Sequence, residues 1–303
     1  MITKLIALFV AFVIFMPAFG QSDTLPAVAT DSLLRKDTVR VDTMVTASQT
    51  VVPEKIPVYK LKPAVDIPIT AIGTGWSLYA FTQIYSKTPS SDEEILNLKV
   101  SDINKFDRPA VRPFDEELDK ISYYPFFAVM PMPLVFLTGK STRKDFFKLS
   151  FLYLEAMSIT GLLYTGSTYF IDRYRPYAYS SESTMDQRTR GGAKNSFFAG
   201  HVALVATASF FGAKVYADYH PDSKIKWLFY SLAGATTATV AVLRYEAGQH
   251  FPSDLIVGVV QGTLTGLLVP HFHKHRLIKD PNLSLVPYSN GRDHMLSLVY
   301  RIK

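Results

Sequence analysis

The sequence predicts an all-α protein: an integral membrane bundle of about six helices, with a disordered N-terminal linker before it and a short C-terminal β-hairpin after it. Three observations predict this class. The 303 residues are 48% hydrophobic and 13% aromatic but only 19% charged, and the mean hydropathy of +0.12 exceeds that of an ordinary soluble enzyme of this length. Apolar segments succeed one another at about 67–85, 121–137, 146–171, 197–217, 225–243 and 255–270, and several reach the ~20 residues that a helix needs to cross ~30 Å of hydrocarbon. The last of them carries Gly258, Gly262 and Gly266 at four-residue spacing, a small-residue stripe that lets another helix approach closely.

The elements follow in chain order. Lys4, an apolar core from Leu5 to Phe19, and Ala18 and Gly20 before Gln21 read as a signal peptide over 1–20 that delivers residue 21 outside the cytoplasm. Residues 21–64, rich in Thr, Asp, Val and Pro, read as an extended linker without chemistry of its own. Residues 65–275 form the membrane-embedded domain. Its second apolar segment contains Pro125, Pro131 and Pro133 and is expected to kink. Glu155, inside the third, is expected to face the bundle interior and has no assigned role. In the tail, 276–303, apolar and polar residues alternate around Asn290-Gly291, the pattern of a hairpin.

Composition also narrows the chemistry. The chain has no Cys, which removes disulfides, thiolate metal sites and a Cys nucleophile. The formal charge of +6 is not gathered into a Lys/Arg-rich run, so nucleic acid is not an expected partner.

Two clusters at segment ends carry the candidate chemistry. In LRYEAGQHFPSD (243–254), Phe251-Pro252-Ser253 reads as a helix start, with Pro in the first turn and Ser253 as a cap. His250 and Asp254 are then four apart and within hydrogen-bond reach, where a carboxylate fixes an imidazole's tautomer and raises its basicity. The alternative is an interfacial His beside an Asp that favours the helix dipole, and Arg244 alone equally fits a helix flank. The second cluster joins DRYRPY, with Arg173 and Arg175, to SFFAGHVA, with Gly200 and His201. Guanidiniums, two imidazoles, a glycine amide and a carboxylate are what in-line transfer of a phosphoryl group to a nitrogen nucleophile requires. A metal site fits these motifs less well: the His residues lack HExxH spacing and carboxylate ligands are missing from them.

With those residues in place, the sequence resembles the type 2 phosphatidic acid phosphatase and vanadium haloperoxidase superfamily, in its membrane lipid phosphatase branch. That family's motifs, K-x6-R-P, P-S-G-H and S-R-x5-H-x3-D, are matched in order by TYFIDRYRP, FAGH and LRYEAGQHFPSD. The resemblance implies that His250 is the nucleophile and forms a phosphohistidine, that Asp254 orients it, and that His201 protonates the leaving alkoxide. It implies further that Arg175, Arg244 and the Gly200 amide hold the phosphoryl oxygens, with Pro176 shaping the turn that aims Arg175. Two positions depart from the pattern: Thr168 stands where the family has Lys, and Ala199 where it has Ser. Lys194 and Arg173 are the expected substitutes for the missing lysine.

The resemblance implies a metal-independent, cofactor-free phosphatase of lipid-linked phosphate monoesters or diphosphates, whose partners are its lipid phosphate substrate and membrane lipids. The alternative is a catalytically degenerate member that binds lipid phosphate or has a structural membrane role. Positive charges at Lys140, Arg143, Lys144 and Lys148, and again at Lys274, Arg276 and Lys279, mark cytoplasmic loops and turn the site toward the periplasm or exterior. A chain delivered outside at residue 21 reaches this orientation only if segment 67–85 lies in the interface or re-enters, which is the expectation adopted.

Overall fold

The computed structural model describes residues 57–275 and the two strands Leu283–Ser289 and His294–Tyr300. The expected signal peptide and most of the expected linker lie outside the described residues. The class is all-α, as expected, and six passes of chain run between two ends of one bundle.

The first pass, α1 (Pro63–Tyr85), starts with Pro63 at its N-terminus, where the missing N–H costs nothing, and with the Asp66 carboxylate accepting from the Lys62 amide. It is one continuous helix of 23 residues. At one end Asp66 lies beside His273, and at the other the Ile84 carbonyl accepts from Asn195 at 2.8 Å. The segment expected to lie in the interface or re-enter, 67–85, is one continuous helix that runs along the bundle. Its polar residues Ser77 and Thr70 are buried against neighbouring helices.

The segment expected to kink instead breaks. After the short helices α2 (Asp92–Leu96) and α3 (Glu116–Ile121) come α4 (Tyr123–Val129) and α5 (Met132–Val135). Pro131 and Pro133 lack the N–H groups that would carry α4 forward, so the helix stops and restarts. The broken pass still traverses the bundle, from Tyr123 beside His201 to Phe136 beside Phe211. A turn of helix, α6 (Lys140–Lys144), leads into α7 (Phe146–Phe170), and after the small helix α8 (Met185–Thr189) come α9 (Gly200–Tyr219), α10 (Lys226–Glu246) and α11 (Pro252–Phe272).

The glycine stripe of α11 packs on α9. A Cβ at Gly262 would sit 2.2 Å from the Ala203 carbonyl oxygen, at Gly258 2.7 Å from that of Ala199, and at Gly266 2.7 Å from that of Thr207. The interior of the bundle holds a large apolar cluster, with Phe136, Leu149, Leu152 and Phe211 in it, and beside it a polar seam in which Thr160 Oγ1 and Thr207 Oγ1 are 2.8 Å apart and Gln261 donates to Thr160 and Thr265. Large apolar side chains also face outward, among them Ile72 on α1, Leu228 and Leu232 on α10, and Ile256, Val260 and Leu264 on α11. By length and composition, α7 and α11 are apolar enough to cross a membrane.

Two further features frame the bundle. The end of the expected linker is docked, because Tyr59 is fully buried, donates to Asp218 Oδ2 at 2.8 Å, and bridges to Lys274. The C-terminal strands pair antiparallel, Leu283 opposite Tyr300 and Ser289 opposite His294, as the alternation predicts; the Asn290-Gly291 turn lies outside the described residues.

Candidate active site

The candidate residues gather at one end of the bundle, where α7 and α10 finish and α9 and α11 begin. Between α10 and α11 the chain reverses through Gly248, whose φ of +68° suits glycine and whose Cβ would lie 2.9 Å from the Pro113 carbonyl oxygen. This turn delivers His250 into the interior, 2% exposed. Its Nδ1 is 2.8 Å from the Ser196 carbonyl oxygen, which can only accept, so Nδ1 carries the proton and Nε2 holds a free lone pair. Burial, followed by the charges of Arg175 and Arg244, pushes the imidazole pKa well below its ordinary value. The ring is therefore neutral and nucleophilic at neutral pH.

Asp254 does not take the place expected for it. Its carboxylate is 4.0 Å from His250 Nδ1, too far for a hydrogen bond, because the Ser196 carbonyl occupies that direction. Asp254 Oδ2 accepts from Ser196 Oγ at 2.6 Å and from the Phe251 amide at 3.0 Å, and the other oxygen accepts from Arg173. Ser196 thus links the two, fixed by the carboxylate through its hydroxyl and holding the imidazole through its carbonyl. No motif pointed to Ser196; its position four residues before Gly200 was the only available signal.

Arg173 also differs from expectation. It donates to Asp254, to Ser253 Oγ at 2.9 Å and to Asp107 Oδ2 at 2.7 Å, and it lies over the Phe251 ring. Committed to two carboxylates, it is no substitute for a phosphate-binding lysine. Asp107 is fully buried; burial raises its pKa, but hydrogen bonds from Ser253, Asn104 and Arg173 outweigh that and hold it below the ordinary carboxylate value. It comes from a loop that the sequence analysis passed over.

The remaining cations divide into two kinds. Arg244 is buried and donates to Asp119 and to Ser122 Oγ at 3.2 Å, with Gln249 sharing Asp119 at 2.8 Å; its Nε has no partner. Arg175 donates from Nε to the Gly192 carbonyl at 3.1 Å, and among the described residues its terminal nitrogens meet no carboxylate. The backbone of Pro176 begins a short 3-10 turn directly after it. Arg175 is the guanidinium free to receive an anion.

Gly200 opens α9 without a side-chain cap, since Ala199 has no hydroxyl to offer, and the first-turn amides point out of the helix end. Its lack of a side chain has a packing cause as well: a Cβ would sit 2.5 Å from the Tyr164 ring. His201, in the same turn, meets the edge of Tyr123 with ring centroids 4.6 Å apart and lies 5.3 Å from Phe126. At the departing positions, Thr168 Oγ1 donates to the Phe197 carbonyl at 3.2 Å, while Lys87 donates from Nζ to the Thr168 carbonyl at 2.7 Å and to Asp172 at 2.6 Å. The Lys87 ammonium, supplied by the loop after α1, thus stands beside the backbone of position 168, paired with Asp172. Lys194 lies in a 3-10 turn whose carbonyl accepts from the Arg173 amide at 3.0 Å.

Residues 149–278, which hold every one of the matched motifs, fit the family model described as the PAP2 superfamily. This segment is a PAP2-superfamily domain. Among solved structures the chain is similar to the crystal structure of a transmembrane PAP2-type phosphatidylglycerolphosphate phosphatase from Bacillus subtilis, with 18% identity, a TM-score of 0.42, and coverage of 68% of this chain and 94% of that one. No curated protein sequence matches. In the PAP2 domain, then, α7, α9, α10 and α11 present the three motifs at one bundle end, and Lys87, Asp107 and Asp119 reach it from the preceding 57–148 segment.

Proposed function

We propose that the chain is a membrane phosphatase that hydrolyses lipid-linked phosphate monoesters or diphosphates through a phosphohistidine on His250. The observation that carries this reading is the His250 tautomer: Nδ1–H is held by the Ser196 carbonyl, so a buried neutral Nε2 lies under the influence of two guanidiniums. Nε2 attacks phosphorus as the bond to the leaving oxygen breaks, and His201, which the bound phosphate anion favours in its protonated form, passes its proton to that oxygen. A water molecule then attacks the phosphohistidine, giving up its proton to His201 and releasing inorganic phosphate and free His250. Arg175, Arg244 and the first-turn amides of α9 meet the charge that gathers on the phosphoryl oxygens. Lys87 takes the part of the missing motif lysine.

The exposed large apolar side chains of the bundle, together with α7 and α11, support a membrane setting. Lys140, Arg143, Lys144 and Lys274 lie at the end opposite the site, which supports a site on the periplasmic or outer face. Pro63 begins α1 at that same opposite end, so in this orientation the chain enters the bundle from the cytoplasmic side. The proposal is tested by phosphate release from a panel of lipid phosphates and diphosphates by the purified protein with chelator present. Initial rates that chelator abolishes and divalent ions restore would overturn it, as would failure to release phosphate from any of them.

A further inference from the structure

Far from the site, three buried residues from three helices or their ends converge on a point that the phosphatase reading does not use. Asp66 of α1, Glu155 of α7 and His273, which follows α11, are 1%, 3% and 7% exposed. His273 Nε2 is 3.1 Å from Asp66 Oδ1 and 3.6 Å from Glu155 Oε2, and one ligand atom from each residue lies within 4.8 Å of the others. Thirteen helical residues separate Glu155 from Thr168 at the site, about 20 Å at ~1.5 Å per residue.

The orientation of the His273 ring decides what this cluster can hold. Its Nδ1 is 2.7 Å from the Val269 carbonyl oxygen, an acceptor only, so Nδ1 donates and Nε2 faces two carboxylate oxygens. Nε2 and Glu155 Oε2 are both buried and neither has a hydrogen-bond partner. Asp66 spends its other oxygen on the Lys62 amide. With no proton among them, three electron-pair donors facing one point repel one another, and a cation between them relieves that repulsion. An imidazole whose second nitrogen is fixed by a carbonyl is the arrangement that metal-bound histidines adopt.

The spacing and the charge both suit a small dication. With bond lengths of ~2.0–2.2 Å and tetrahedral angles, ligand atoms on zinc are about 3.3 Å apart, between the two distances measured here. Two carboxylates and a neutral imidazole carry a charge of −2, which a divalent ion cancels inside the bundle, where an uncompensated charge is costly. We propose that Asp66, Glu155 and His273 bind a divalent cation of the zinc type, which clasps α1, α7 and the end of α11. It is a structural site, separate from phosphoryl transfer.

The test uses the full-length protein in detergent, stripped with EDTA, incubated with zinc chloride and dialysed, with metal measured by mass spectrometry and unfolding followed by temperature. The expected result is about one zinc retained per chain, a higher Tm with zinc, and a lower Tm but unchanged initial phosphatase rate when chelator is added. Glu155→Gln and His273→Gln should each lose the retained zinc and the Tm response. Should one variant fail to fold, Asp66→Asn and the d–d absorption of cobalt(II) in the wild type give the same answer independently. No zinc retained by folded wild-type protein, or equal retention by the variants, would overturn the proposal. The first result would show that the triad is an imidazolium paired with carboxylates.

Discussion

The two ends of the bundle are built from the same helices and are opposite in electrostatic character. At the site end the uncommitted charged groups are donors, the terminal nitrogens of Arg175 and the Nε of Arg244, beside the open amides of α9, although the amide oxygens of Gln249 and Asn195 also lack partners there. At the other end Glu155 Oε2 and His273 Nε2 face each other without a hydrogen-bond partner. Between the ends Thr160 and Thr207 pair and Gln261 donates to Thr160, while the Gln261 oxygen has no partner. In an apolar interior an uncommitted polar group costs roughly 1–3 kcal/mol, and a charged one more. The contrast in the charged groups agrees with the two proposals, an anion at one end and a cation at the other.

Several experiments would break or sharpen this contrast. The largest effect is expected from His250→Ala, which should remove turnover and acid-labile phosphoenzyme together, by ~10³-fold or more, while Glu155→Gln leaves the rate intact and lowers only the Tm. Comparable losses of rate in the two variants would erase the distinction between the ends. Arg175→Ala should follow at ~10²–10³ in kcat, because a donor aimed at transition-state charge is lost from a dry site. Ser196→Ala removes the hydroxyl that Asp254 fixes but keeps the carbonyl that holds His250, so a smaller fall in kcat with little change in KM is expected, measured by steady-state kinetics.

A finer comparison concerns the lysines. Lys87→Ala should cost about tenfold in kcat/KM, ~1.4 kcal/mol, and Lys194→Ala much less, because Lys87 rather than Lys194 stands at position 168. The opposite order would return the role to Lys194. The smallest effect is on pH dependence. The folded state holds His250 neutral well below the imidazole's ordinary value of about 6.5, so the acid limb of kcat/KM should fall below that value. Stability should follow the same sign. As pH drops below ~6.5 the unfolded chain gains a proton that the folded chain does not, and folding is weakened progressively until the folded pKa is reached. An acid limb at or above pH 6.5 would show that His250 is solvated. Orientation can be read with thiol probes, since the chain has no Cys of its own. A membrane-impermeant reagent added outside should label Ser181→Cys near the site and spare Ser141→Cys at the far end.

Much of this was legible in one dimension. Helical class, close packing at the glycine stripe and the three motifs all follow from local patterns: apolar run length, glycine spacing and motif spacing. His250, His201, Arg175, Arg244 and Gly200 were named because motif spacing is itself a local property. Depth is not a local property. The Ser and Thr residues of α1 suggest an interface helix in the sequence, because a sequence does not reveal that a neighbouring helix will cover them.

The sequence by itself determined which residues carry reactive groups and which segments are helices, since propensity, periodicity and capping act within a few residues of chain. Only the tertiary structure decided how those groups are paired. It placed the Ser196 carbonyl rather than Asp254 on His250, and it joined Arg173 to Asp107 across 66 residues. It put Lys87 at Thr168 across 81 residues and brought Asp66, Glu155 and His273 to one point. Hydrogen bonds and charge pairs act over a few ångströms in space whatever the separation along the chain, so the partners of a buried polar group are fixed by packing and cannot be read from its neighbours in sequence.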